Sequence, residues 1–307
     1  MSETQKKHPD FFILGAPKCG TTALYEYLND RDDIFMPSGV KEPNFFASDL
    51  NVQTQLSGEE SYYALFKDAQ ENQLIGEASV WHLYSKEAAA NIITCYPSAK
   101  FIVMLRNPIE MFISLHAQML YSLYEDESDL EKAWSLQDGR KNGDIKPTSY
   151  NPEIKTLLYK DVCSLGAQLE QLYNSVPKAQ VLVLFQEDMK RDTKAIYDQT
   201  IDFLGLPQDG RSEFPVINDR KEHKSSALVK MLRILSVKLR PLKQALRKHI
   251  PNMPSSILKP LYDLQSAKSE KPQISSAFKE KLLEEFEVDI QKIESLTGRD
   301  LAHWRAL

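Results

Sequence analysis

Short apolar runs alternate along this chain with longer stretches in which apolar residues return at helical spacing. Residues 11–14 (FFIL), 74–79, 101–105 (FIVML) and 181–185 (VLVLF) are too short for helices and read as buried strands. Between and after them, residues 21–28, 86–95, 109–123, 165–175 and 193–204 read as helices, the last ended by Gly205. A final amphipathic helix is predicted over 278–296, stopping at Gly298. Compact apolar strands separated by helices predict an α/β fold, with a parallel sheet covered on both faces. Ligands of such folds sit at the carboxyl ends of the strands.

Two stretches depart from this rhythm. Residues 125–131 (EDESDLE) hold five acids in seven positions and lead into a Gly- and Pro-containing loop to about Pro152, which reads as a surface excursion. Residues 221–259 carry ten Lys or Arg and one acid, Glu222, with apolar residues such as Leu228, Met231, Leu232 and Leu235 at helical spacing. That segment reads as a helix with a solvated basic face, and alternatively as a contact for an acidic polymer or a membrane surface.

Composition narrows the class. Of 307 residues, 42% are hydrophobic, enough for one sizeable core, and 38 basic against 43 acidic side chains leave a net charge of −5. A wholesale polyanion binder is usually basic, so no nucleic-acid partner is expected and any anionic ligand must meet a local cluster. Cys19, Cys95 and Cys163 are too few for a disulfide scaffold and lack zinc-ligand spacing. No apolar run approaches the roughly 20 residues of a spanning helix, and the polar start MSETQKKHPD has no leader-like segment. The expectation is a soluble, cytoplasmic protein.

The most informative stretch is FFILGAPKCGTTAL, residues 11–24. A strand runs into Gly15, Gly20 follows five positions later, and Thr21 and Thr22 open a helix. Glycines let the backbone curl close to a ligand, and a helix N-terminus presents N–H groups and a positive dipole, so this loop is a cradle for an anion. The spacing overlays the P-loop pattern, with one departure: Thr21 stands where the P-loop has its lysine, and the lysine of this loop is Lys18. That arrangement argues against the usual magnesium–nucleoside triphosphate site.

Together, GAPKCGTTAL and FIVMLRNPIEMFISLHAQM resemble the two donor-binding segments of the sulfotransferases that use 3′-phosphoadenosine 5′-phosphosulfate (PAPS). GVKEPNFF (39–46), LIGEASVWHLYS (74–85) and LTGRDLAHW (296–304) resemble the glycan-type and bacterial carbohydrate branch of that family. The resemblance implies a P-loop-like parallel sheet flanked by helices with a helical C-terminal portion. It implies one domain over 1–307, a donor-binding core over about 8–220 and a helical part over 221–307. Pro17, Lys18, Cys19, Gly20, Thr21 and Thr22 would hold the 5′-phosphosulfate, and Arg106 and Ser114 the 3′-phosphate. Lys224 and Ser225 match a basic-Ser pair near the donor more loosely, with Asn218 shortly before them.

The resemblance further implies transfer to a carbohydrate or glycolipid hydroxyl, with adenosine 3′,5′-bisphosphate (PAP) as product. Glu42 is the implied general base, with Lys41 beside it tuning its pKa or touching the sulfuryl oxygens, and Lys18 stabilises the leaving phosphate. No metal is expected, because Lys18, the loop N–H groups and the Thr hydroxyls supply the charge neutralisation. His82 and His116 are the competing bases, since an imidazole titrates near neutrality. Glu77 would orient Lys18, contact substrate or serve the structure. Arg140 and Gly143 match an acceptor-cleft loop of bacterial members, and Tyr121, Tyr124 and Trp134 would stack on sugars or fill the core. A bacterial cytoplasmic setting fits, with the basic segment as a peripheral contact to the inner face of a membrane. Two other readings stay open on the residues: a magnesium-ATP-dependent small-molecule kinase and a non-catalytic nucleotide-binding interaction protein.

Overall fold

The computed structural model describes residues 7–37, 42–52, 55–56, 58–217, 221–223, 266–268, 272 and 274–306. Lys41, Asn218, Lys224, Ser225 and Ser226 lie outside the described residues, as does the expected helical segment 221–259 apart from 221–223, which form a strand.

Five strands form one sheet: β1 (Phe11–Gly15), β2 (Ile34–Phe35), β3 (Leu74–Ala78), β4 (Lys100–Leu105) and β5 (Val181–Phe185). Their order is β2-β3-β1-β4-β5, and every pairing is parallel. All five residues of β1 and the last five of β4 are buried, so both faces of the sheet centre are covered. This is why those strands read as unbroken apolar runs rather than alternating ones.

The helices follow from their ends. α1 (Thr21–Asn29) packs along β1 and β2, with Leu24, Tyr27 and Leu28 buried. α2 (Glu59–Tyr63) and α3 (Ala88–Cys95) flank β3 in sequence. In α4 (Pro108–Tyr121), Pro108 takes the first helical position and Asn107 Oδ1 accepts from the N–H groups of Ile109 and Glu110 at 3.0 and 3.2 Å. α5 (Leu130–Ser135), α6 (Gln137–Lys141) and α7 (Tyr159–Cys163) are short. α8 (Leu165–Ser175), α9 (Gln186–Arg191) and α10 (Thr193–Leu204) follow, Asp192 capping the start of α10 and Gly205 closing it at φ 82°. β6 (Lys221–His223) and β7 (Ser266–Lys268) pair antiparallel.

The last helix, α11 (Ser276–Thr297), lies across α8. Its buried Asp289 accepts from the N–H groups of Gly166 and Ala167 at 2.8 and 2.9 Å, satisfying the first turn of α8. A Cβ at Gly166 would stand 2.4 Å from the Asp289 carbonyl oxygen, so this crossing requires glycine. No helix among the described residues is long and apolar enough to cross a membrane.

The stretch 125–152 is only in part the surface excursion its charge suggests: Asp126, Asp129 and Glu131 are exposed, but other residues turn inward. Glu125, Trp134 and Arg140 are buried, and α5 and α6 fold the segment onto the body of the protein. Of the five acids only Glu125 is buried, and the sequence hides this because its partner Arg140 is 15 residues away.

Candidate active site

The strand order reverses direction between β1 and β4, with β3 on the other side of β1. The carboxyl ends of these strands open the crevice where such sheets bind ligands. The chain leaves β1 through Gly15, whose φ is 137° and where a Cβ would fall 2.4 Å from the Val80 carbonyl oxygen. It then curls through Lys18 (φ 65°) and Gly20 (φ 95°) into α1, whose first turn has no side-chain cap and no acid. An uncapped, acid-free helix start is open to an anionic ligand.

Three side chains from three elements meet Lys18. Arg106, the residue after β4, donates from Nη1 to the Lys18 carbonyl at 2.9 Å. Gln186, the residue after β5, donates to the same oxygen at 3.4 Å. Lys18 Nζ donates to Gln118 Oε1 of α4 at 3.2 Å. Arg106 also pairs with Glu110 at 3.3 Å, while its buried Nε has no hydrogen-bond acceptor among the described residues.

A cleft of about 690 Å³ begins at this loop. Pro17, Lys18, Gly20, Thr21, Thr22, Arg106 and Ser114 line it on the loop side, and Glu42, Trp81, Tyr121, Tyr124, Asn151 and Glu153 also face it. Glu42 sits in a turn whose backbone is left-handed at both Glu42 (φ 58°) and Asn44 (φ 48°). Such conformations in non-glycine residues cost about 1–3 kcal/mol each and persist only where neighbours enforce them. Here the Asn44 N–H donates to Ser79 Oγ at 2.9 Å, and Asn44 Nδ2 to the Glu42 carbonyl at 2.8 Å. Cys19 is the exception in the loop. Its side chain is buried against Met111 and its N–H is used by Ala16, so nothing of the thiol reaches the cleft. Burial pushes that thiol up to about 12.

A family model described as the sulfotransferase domain matches residues 8–249. The chain belongs to the sulfotransferase family. Among curated relatives, the mouse heparan sulfate glucosamine 3-O-sulfotransferase 3A1 is 28% identical over 206 residues, 67% of this chain and 48% of that protein. The bifunctional heparan sulfate N-deacetylase/N-sulfotransferase 1 of Caenorhabditis briggsae is 22% identical over 216 residues, 68% of this chain and 24% of that protein. The chain thus spans half or less of the length of these relatives. The crystal structure of a sulfotransferase from Alicyclobacillus acidocaldarius superposes with a TM-score of 0.71 at 22% identity, covering 98% of this chain and 100% of that one. The shared α/β sheet with its C-terminal helix is therefore the sulfotransferase fold.

Within this sulfotransferase domain, neither histidine is placed to act as a base. His82 is 1% exposed, packs beside the Phe46 ring, and has no hydrogen bond at either ring nitrogen among the described residues; burial lowers it to about 3. His116 is buried too, paired with the Glu127 carbonyl at 2.8 Å, and burial holds it below the ordinary imidazole range. Glu77 does not line the cleft and does not touch Lys18 through any hydrogen bond of the described residues. It lies behind the Glu42 turn, where burial pushes its carboxyl up to about 8 against hydrogen bonds from Ser79 and Tyr62.

Arg140 corrects the sequence expectation most plainly. Its guanidinium is buried, and Nη2 donates to both oxygens of Glu125, each at 2.8 Å, with the Tyr159 hydroxyl donating to the same carboxylate at 2.8 Å. It anchors α6 and does not line the cleft. Trp134 likewise packs against Phe112 and Phe286, whereas Tyr121 and Tyr124 face the cleft.

Sequence reasoning passed over Gln118 and Gln186. Gln118 stands four residues after Ser114 on one helix face. Gln186 follows Phe185 as Arg106 follows Leu105, and these two strand ends are in register. The signal was positional, since glutamine carries no motif of its own.

Proposed function

We propose that this domain transfers a sulfuryl group from PAPS to a hydroxyl of a carbohydrate or a carbohydrate-bearing lipid, releasing PAP. The observation that carries this reading is the placement of Lys18, Arg106 and Glu42 around one cleft at the uncapped start of α1. The family membership supports the donor. The residues present suit a bisphosphorylated nucleotide: Lys18, Thr21, Thr22 and the α1 N-terminus for the 5′ end, Arg106 and Ser114 for the 3′-phosphate. The buried Nε of Arg106 is a donor that a phosphate oxygen would satisfy.

In this reading Glu42 accepts the proton of the acceptor hydroxyl as that oxygen bonds to sulfur. Lys18 and the α1 N–H groups meet the charge that appears on the phosphate oxygen as its bond to sulfur breaks. We propose that these groups suffice without a divalent ion. The assignments of Lys41, Lys224 and Ser225 concern residues outside the described part and stand on the resemblance alone.

Two observations support a sugar acceptor. The named relatives are heparan sulfate sulfotransferases, and the cleft lining includes the rings of Trp81, Tyr121 and Tyr124 together with Asn151 and Thr156. Among the described lining residues the cations are Lys18, Arg106 and Lys190, and Glu153 adds a carboxylate. That lining favours a neutral sugar over a sulfated polymer. The test is PAP release from PAPS over a panel of neutral glycans, glycolipids and heparan sulfate, with EDTA present. Release with a neutral sugar supports the reading; in a parallel assay without EDTA, turnover of magnesium-ATP with no response to PAPS overturns it.

A further inference from the structure

Glu77 lies in β3 behind the cleft, opposite Phe12 of β1, with none of its side chain exposed. Its Oε1 accepts from the Ser79 hydroxyl at 2.6 Å and its Oε2 from the Tyr62 hydroxyl at 3.4 Å. Ser79 has one hydroxyl proton. With that proton directed at Glu77, its lone pairs are left for the Asn44 N–H, which donates at 2.9 Å. Asn44 in turn reaches the Glu42 carbonyl at 2.8 Å. A carboxyl, a hydroxyl and a main-chain amide thus form a strut from the sheet to the turn that carries Glu42. Asparagine tolerates the left-handed backbone of this turn, but glutamate does so rarely, so something outside the turn must hold it.

We propose that Glu77 is a positioning residue for the transfer, holding the Glu42–Asn44 turn through Ser79 so that the Glu42 carboxylate stays in the cleft. This rests on Glu42 as the base, as given above. Tyr62 and His82 face Glu77 from the other side, with His82 Nδ1 at 3.8 Å, beyond hydrogen-bond reach, and the Glu42 charge is felt from the turn. Because burial pushes Glu77 up to about 8, the amide of Glu77→Gln reproduces its neutral form and keeps an oxygen for Ser79.

The experiment compares Ser79→Ala, Glu77→Leu and Glu77→Gln with wild type at saturating PAPS, alongside hydrogen exchange at the Asn44 amide. Ser79→Ala and Glu77→Leu lower kcat by about 10- to 100-fold, the loss expected for a base displaced by an ångström. They leave PAP affinity unchanged and expose the Asn44 amide to exchange, whereas Glu77→Gln retains turnover. Placed in a Glu42→Gln background, Ser79→Ala gives no further loss, because both changes remove the same contribution. Wild-type turnover in Ser79→Ala overturns the proposal, as does an undiminished effect of Ser79→Ala in the Glu42→Gln background. If wild type fails to use PAPS at all, the sulfotransferase reading falls separately. Asn44 exchange then decides the strut, and unchanged protection in Ser79→Ala overturns it.

Discussion

Arg106 donates from Nη1 to the main-chain carbonyl of Lys18 at 2.9 Å, tying the residue after β4 to the loop after β1. Arg106 also lines the cleft, with its buried Nε unpaired among the described residues. One side chain therefore shapes the loop and, in the proposed function, offers a charge to the 3′-phosphate.

From this, Arg106→Ala weakens PAP binding by roughly 10- to 100-fold, the range for losing one charge-assisted hydrogen bond of about 1.5–3 kcal/mol. Arg106→Lys keeps the charge but not the planar fork and recovers only part of the affinity. Titration calorimetry with PAP checks both. Equal affinity of the alanine variant and wild type contradicts the assignment.

Lys18→Ala removes the positive charge from the loop while the backbone cradle remains. Turnover is expected to fall by about 100- to 1000-fold, the loss typical of removing one group that stabilises developing charge. Circular dichroism should stay unchanged. A steady-state assay of PAP release reads the effect, and a loss below tenfold removes Lys18 from this role.

Arg140 and Glu125 predict a stability effect. Their side chains are 2% and 0% exposed, so Arg140→Met strands a buried carboxylate and costs about 3–5 kcal/mol. Thermal denaturation should show a Tm lower by roughly 10 °C. Glu125→Leu combined with Arg140→Met restores most of it, because an apolar pair leaves no charge unpaired. If Arg140 instead served the acceptor, Arg140→Met would raise the acceptor KM with Tm unchanged.

Glu77 and His82 give stability opposite pH dependences. Glu77 is raised to about 8 by burial, so between about 4.5 and 8 the unfolded chain loses its proton first and stability falls as pH rises. His82 is lowered to about 3 by burial, so stability falls as pH drops through about 6.5 towards 3. Glu77→Gln should therefore gain Tm over wild type progressively from pH 4.5 to 8 and then level off. Differential scanning calorimetry across that window reads the gain, and a constant difference contradicts the burial argument.

Much of the fold could be read from the chain because its local signals agree with its packing. The bounds of α8, β5 and α10 match the runs 165–175, 181–185 and 193–204, each marked by its apolar pattern and α10 also by its caps Asp192 and Gly205. β2 escaped notice because two residues, Ile34 and Phe35, carry no periodicity. In the cleft, Lys18, Thr21, Glu42, Arg106 and Ser114 lie on motifs that the chain spells out. The strut from Glu77 and the burial of Arg140 were not legible, since both depend on partners brought together by the fold. Charge alone does not tell a solvated arginine from a buried one.

The most direct test of the donor site is calorimetric titration of PAP, 5′-AMP and magnesium-ATP into wild type and Arg106→Ala. The account predicts that wild type binds PAP in preference to the other two, and that this preference is lost with Arg106. Equal or tighter binding of magnesium-ATP, or no binding of PAP, contradicts it.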